Sequence, residues 1–281
     1  MIAVVFSGSR FANWRLANRG KIVSGFRTSG FNPNLHDERY IIQNLNKCND
    51  LINHAEKIKK IFFFGAGTST QDKKEKLTKI FENFFVNAKV FIEEDIQGSA
   101  IATSGDHNSI IGILGSGSNA GYYNGKKVNT KNYGLGYILA DEGSSNWIGR
   151  MLLKSFLTNK MPQDLKEIFE SKHSLDKKLI LDKIYNNPNP AIFLTSFTDF
   201  VSDNKEHPFI KEIITEGMEL FLKNYIIPLQ AEYTGVPVNF TGSIAAQYED
   251  ILRKTAKDMG VEINTVIEEP ITKLLEYHIK K

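Results

Sequence analysis

The spacing of hydrophobic positions changes character several times along the chain. Ile2–Phe6, Ile61–Phe64 and Ile110–Leu114 are short continuous apolar runs of the kind found in buried strands. Trp14–Ala17 and Ile22–Thr28 flank Asn18-Arg19-Gly20 and predict a hairpin, and Tyr122-Tyr123-Asn124-Gly125-Lys126 predicts another. Lys89–Glu93 reads as a further strand. Between Tyr40 and Ile58, Ile41, Leu45, Cys48 and Ile52 recur at helical spacing, which puts Cys48 on an apolar stripe as a buried thiol. Leu77, Ile80, Phe81 and Phe84 mark a second helix. Later helices are expected over Ser145–Leu157, Phe209–Ile226, Ile244–Met259 and Ile271–Ile279. Residues 163–189, rich in Lys, Asp and Asn, read as solvated helices and loops. Strand-length runs alternating with helices predict an α/β protein.

The pattern states one plan twice. Phe6-Ser7-Gly8-Ser9 follows a strand and leads through a second strand to Gly20-Lys21. Leu114-Gly115-Ser116-Gly117-Ser118 does the same and leads to Gly125-Lys126. Each half then holds a strand that ends in glycine before a helix, at Phe64-Gly65-Ala66-Gly67 and at Phe240-Thr241-Gly242-Ser243. Two similar domains on either side of a cleft are the expectation, with residues 1–104 and 105–267 as their spans and 268–281 returning to the first.

Composition removes several function classes. Thirty-five Lys and Arg against 32 Asp and Glu give a net charge of +3. That is a near-balance without a concentrated basic face, and it argues against nucleic acid as a partner. Cys48 is the single cysteine, so neither an internal disulfide nor a four-thiolate metal or iron–sulfur site can form within one chain. No run approaches the roughly 18 to 20 apolar residues of a membrane span, and the first residues lack a signal-peptide pattern. A soluble cytoplasmic protein without a membrane partner is expected.

Candidate chemistry sits at the turns. Gly and Ser at a strand-to-strand turn let backbone N–H groups approach phosphate oxygens, although a GSGS run is also an ordinary tight turn. Gly115–Ser118 has no Gly-Lys-Ser/Thr of a Walker loop, and a strand follows it where a dinucleotide fingerprint would have a helix. Asp95 closes a strand and is either a helix cap or a base for a substrate hydroxyl. Asp141-Glu142-Gly143-Ser144-Ser145 is either a helix-capping box or the binding edge of a helix N-terminus. The six histidines show no metal-ligand spacing, and no GxSxG elbow is present.

These residues, taken in order, resemble the BadF/BadG/BcrA/BcrD ATPase family and its bacterial N-acetylglucosamine kinase-like members, within the actin/hexokinase/Hsp70 superfamily. The resemblance runs from Phe6-Ser7-Gly8-Ser9 with Trp14 through Gly30-Phe31-Asn32-Pro33, Phe63–Gly67 and Glu94-Asp95. It continues over Ile113–Asn119, Leu135–Ser144, Pro237–Ala245 and Pro270–His278, essentially the whole chain. It implies two duplicated ribonuclease H-like (actin-like ATPase) domains around a nucleotide and sugar cleft. It implies ATP with Mg²⁺, phosphates at Ser7, Gly8, Ser9, Arg10, Gly115, Ser116 and Gly117, and adenosine at Gly242 and Ser243. An amino sugar would sit at Asn32, Asp95, Ser118, Asn119 and Asp141, with Asp95 as base, and a homodimer follows by the same analogy. The chain departs from the family in its first loop. Phe6 stands where the family carries the Asp that organises hydrated Mg²⁺, and Phe11 where it carries Lys; Arg10 offers charge but no metal ligand. An impaired sugar- or nucleotide-binding protein is therefore the alternative to an active kinase. The iron–sulfur activator ATPases of acyl-CoA dehydratases, which use two cysteines per chain, do not fit Cys48 alone.

Overall fold

The computed structural model describes every residue except Ser9. The chain forms two compact units, one of Met1–Ile111, Tyr123–Asn129 and Glu269–Lys281, the other of Gly112–Tyr122 and Thr130–Glu268. The strands are β1 (Ile2–Ser7), β2 (Phe11–Asn18), β3 (Lys21–Ser29), β4 (Lys60–Gly65), β5 (Lys89–Glu94), β6 (Asn108–Leu114), β7 (Ser118–Asn124), β8 (Val128–Asn129), β9 (Val238–Thr241) and β10 (Ile263–Ile267). They make two five-stranded sheets, ordered β3-β2-β1-β4-β5 and β10-β9-β6-β7-β8. Read from its other edge, the second sheet repeats the first strand for strand: β6 stands for β1, β9 for β4 and β10 for β5. The expected duplicated α/β plan is present.

Period-two alternation explains how the first sheet is covered on both faces. Ala3 and Val5 point into one core with Trp14, Phe31, Ile41, Leu77 and Phe81. Val4 points the other way and packs with Ala17, Phe64, Ile271, Leu274 and Leu275, so the C-terminal helix Ile271–Lys280 closes that face. β1 pairs antiparallel with β2 and parallel with β4, which in turn pairs parallel with β5.

Several elements differ from the sequence reading. The helical stripe from Tyr40 to Ile58 breaks into Glu38–Asn46 and Asn49–His54, with Cys48 between them at the N-cap. Cys48 is half-buried, and Ile52 is exposed, because the break rotates the second segment out of register. The expected helix Phe209–Ile226 is Pro208–Phe221 followed by a π-helical turn, Leu222–Ile226, and the helix Ile227–Glu232. Ile244–Met259 is two helices, Ser243–Gln247 and Glu249–Asp258. β10 was not anticipated: the adjacent polar pair Asn264-Thr265 interrupts its apolar residues, and among the described residues it is an edge strand paired with β9.

Candidate functional site

In the first unit the chemistry gathers at one end of the sheet. Register places Ser7 beside Gly65, and Gly65 beside Glu94, so three parallel strands finish together. The carboxyl ends of parallel strands are where open α/β sheets bind ligands. Gly8 follows β1 and its N–H donates to Phe11 O at 3.0 Å, closing the turn. Ser9 lies outside the described residues. The Ser7 hydroxyl is buried; it accepts the Phe31 N–H at 3.0 Å and donates to Gly8 O at 3.1 Å, so it holds the segment carrying Asn32 against the turn. Asn32 is buried, and its Oδ1 accepts the Asn34 N–H. Gly67, at φ +80°, passes so close to the Asn32 amide that a Cβ would lie 2.8 Å from Asn32 Cγ. Thr68 Oγ1 ties this crossing down by donating to Gly65 O and Glu93 O.

Asp95 is the first residue of the helix Asp95–Ser104, with Glu94 at the N-cap, so it does not fill the cap itself. Gly98 lets that helix press onto β4, since a Cβ there would stand 2.8 Å from Phe64 Cβ. Burial pushes the Asp95 carboxyl up to about 6; the Ile96 N–H it accepts at 2.9 Å pulls the other way, and neighbouring Glu94 adds to the rise. A carboxylate with a pKa near working pH is suited to take a proton from a hydroxyl. Arg10 lies on the hairpin over the exposed Phe11 ring, with Arg27 packed on the same ring at 5.3 Å.

The first turn does not fit a protein ligand for Mg²⁺. Phe6 packs into the apolar layer beneath the C-terminal helix and offers no oxygen. Among the described residues no three His, Cys, Asp or Glu side chains cluster as a metal site.

The second unit builds its own cluster. Gly115–Gly117 joins β6 to β7, with the Gly115 N–H donating to Gly117 O. The start of the helix Ser145–Leu157 clamps this turn: the Ser145 N–H and hydroxyl both donate to Gly115 O, and the Asn146 N–H donates to Ser116 O at 3.1 Å. Ser144 is the N-cap, accepting the Trp147 N–H. Asp141 is buried; Oδ1 accepts the Ser118 N–H at 3.0 Å and Oδ2 accepts from Asn146 Nδ2 at 3.1 Å. Burial raises its carboxyl above the usual range against those two donors. Gly242, at φ +113°, packs directly on the Leu114 carbonyl and the Gly115 N–H, and Ser243 opens the helix that follows. Asn119 Oδ1 accepts the Ala120 N–H, and its side chain packs on Gly134.

The second unit thus brings Gly115–Asn119, Asp141, Gly242 and Ser243 together, and the first brings Ser7, Gly8, Asn32 and Asp95 together. Sequence reasoning singled out Ser145 and Gly67 within their motifs but missed Asn146 and Thr68. For Asn146 a signal existed: Ser144 as cap fixes residue 146 in the first helical turn, next to whatever the turn holds.

A putative N-acetylglucosamine kinase from Porphyromonas gingivalis is 30% identical to the chain, covers 100% of it and 99% of its own length, and superposes with a TM-score of 0.92. The chain belongs to that protein's family. A putative N-acetylglucosamine kinase from Chromobacterium violaceum shares the fold at 14% identity, with 99% of each chain covered and a TM-score of 0.69. A ROK family glucokinase from Streptomyces griseus, solved with glucose and AMPPNP, shares it at 14% identity, covering 98% of this chain and 97% of its own, with a TM-score of 0.62. No protein-family model and no curated protein matches the chain. Among the described residues no helix is long and apolar enough to cross a membrane.

Proposed function

We propose that the chain is an ATP-dependent sugar kinase of the BadF/BadG/BcrA/BcrD type acting on an amino sugar of the N-acetylglucosamine class. The observation that carries this reading is Asp95: a carboxyl raised to about 6 at the joint carboxyl end of β1, β4 and β5, in a chain 30% identical over its whole length to a putative N-acetylglucosamine kinase. In this reading Asp95 accepts the proton of a sugar hydroxyl while that oxygen attacks the γ-phosphorus. The bond from the γ-phosphorus to the bridging oxygen breaks in line, and ADP leaves with the electron pair. Ser7, Gly8, Ser9, Arg10, Gly115, Ser116 and Gly117 bind phosphates, and Gly242 and Ser243 border the adenosine. Asn32, Asp95, Ser118, Asn119 and Asp141 bind the sugar. Mg²⁺ arrives on the nucleotide, held by phosphate and water. The remaining expectations, domains at 1–104 and 105–267, a homodimer and a cytoplasmic location, belong to the same reading.

The test is ADP release with Mg-ATP across a panel of amino sugars, beside Asp95→Asn. Sugar-dependent release that this variant loses supports the reading; release equal in both, or none with any sugar, removes it. Phe6 and Phe11 favour a second reading, a sugar- or nucleotide-binding protein with little turnover. It expects an amino sugar to raise Tm with no ADP formed.

A further inference from the structure

Pro228 has no N–H to give, and its ring would crowd the carbonyl four residues back, that of Asn224. Just before it the helix that begins at Pro208 widens into the π-helical turn Leu222–Ile226, and the Ile227 N–H reaches back five residues to Leu222 O. An extra residue in a helical turn re-aims the side chains it carries. Here two consecutive residues, which on a regular helix would diverge, serve one carboxylate. The Tyr225 hydroxyl donates to Glu142 Oε2 at 2.8 Å, and Asn224 Nδ2 donates to Oε1 at 3.3 Å.

Glu142 sits between two residues in the left-handed region, Asp141 at φ +62° and Gly143 at φ +72°. For glycine that conformation is free; for Asp141 it is strained and persists only where neighbours hold it. Gly143 lies against the helix Pro208–Phe221, where a Cβ would stand 3.1 Å from Gly217 O, so the backbone has no room on that side. The left-handed turn is what brings the Asp141 carboxylate round to the Ser118 N–H and to Asn146.

We propose that the π-turn and Glu142 form a brace that holds Asp141 in its left-handed conformation and so sets the shape of the turn 115–118, which makes Glu142, Asn224 and Tyr225 positioning residues. Tyr225 stays protonated as the donor, since burial and the Glu142 carboxylate both push its hydroxyl up. For nucleotide binding the proposal rests on the reading of 115–117 as a phosphate-binding turn.

The deciding experiment compares wild type, Tyr225→Phe, Glu142→Ala and the double variant by hydrogen exchange at the Ser118 amide and by AMPPNP affinity. Tyr133→Phe is the control, because its ring packs on Tyr225 at 4.9 Å without joining the brace. Folding is checked by Tm. Ser118 exchange about tenfold faster and AMPPNP affinity about fivefold weaker are expected in Tyr225→Phe, with the control unchanged and the double variant no worse than Glu142→Ala. Unaltered Ser118 exchange in folded Tyr225→Phe, or an equal change in the control, overturns the brace. Wild type that fails to bind AMPPNP removes the kinase reading, while the exchange measurement still decides the brace.

Discussion

A Cβ on Gly117 would stand 2.9 Å from Asp141 Oδ2. The carboxylate cannot swing aside freely, since it already accepts from Ser118 N–H and Asn146 Nδ2. Gly117→Ala therefore displaces a buried, hydrogen-bonded carboxylate, and breaking such bonds costs about 1–3 kcal/mol. Chemical denaturation is expected to show a loss of that size. AMPPNP binding is expected to weaken by roughly tenfold, the ratio that corresponds to about 1.4 kcal/mol. Unchanged stability and affinity would mean that the turn tolerates a side chain and that Asp141 does not shape it.

Asp95→Asn separates activity from stability. The raised carboxyl binds its proton more tightly folded than unfolded, so the ionised form opposes folding. That penalty is absent below pH about 4, grows as pH rises through 6 and is then constant, reaching about 2–3 kcal/mol at most. Asn carries no such penalty. The variant is expected to melt higher than wild type at pH 8 and alike at pH 4, while kcat falls 10²–10⁴-fold, the range of a general base. Wild-type kcat/KM should rise with pH to a plateau above pH about 7. A variant less stable than wild type at pH 8 would contradict the assigned burial.

The doubled plan was legible because Gly/Ser turns after apolar runs are local signals, and both sheets follow it. Asp95 and Asp141 stood out for the same reason, as carboxylates at element ends. What escaped depended on contacts between distant segments. The adjacent polar residues Asn264 and Thr265 interrupt β10 and leave it no continuous buried run. Nothing in the local pattern makes Cys48 a helix break. The role of Pro228 in re-aiming Tyr225 at Glu142, 83 residues away, has no periodic trace.

Phe6 links the first turn to the packing of the C-terminal helix, sharing an apolar layer with Ile271, Leu274 and Leu275. Phe6→Asp with Phe11→Lys would add a hard oxygen ligand and a mobile cation at the turn. It also sets a carboxylate against that layer, with an expected fall in Tm of several degrees. If the weak point of the site is Mg²⁺ placement, the double variant should bind Mg-ATP more tightly than wild type and raise sugar-dependent ADP release. Lower stability with Mg-ATP affinity unmoved would show that this turn takes no part in holding the metal–nucleotide complex.

His278 supplies a pH dependence of the opposite sign to that of Asp95. Its ring stacks on Phe62 at 3.9 Å and lies near Phe64, and its buried Nε2 has no hydrogen-bond partner among the described residues. Burial, helped by nearby Lys281, lowers its pKa to about 4. The unfolded chain protonates this histidine near pH 6.5 and the folded chain does not, so protonation favours unfolding. Stability contributed by the neutral ring is complete above pH 6.5 and is lost as pH falls toward 4. His278→Phe keeps an aromatic ring on Phe62 and removes the titration. Between pH 6.5 and 4.5 its Tm should fall less than that of wild type, and identical slopes would place the acid sensitivity of the first unit on other groups.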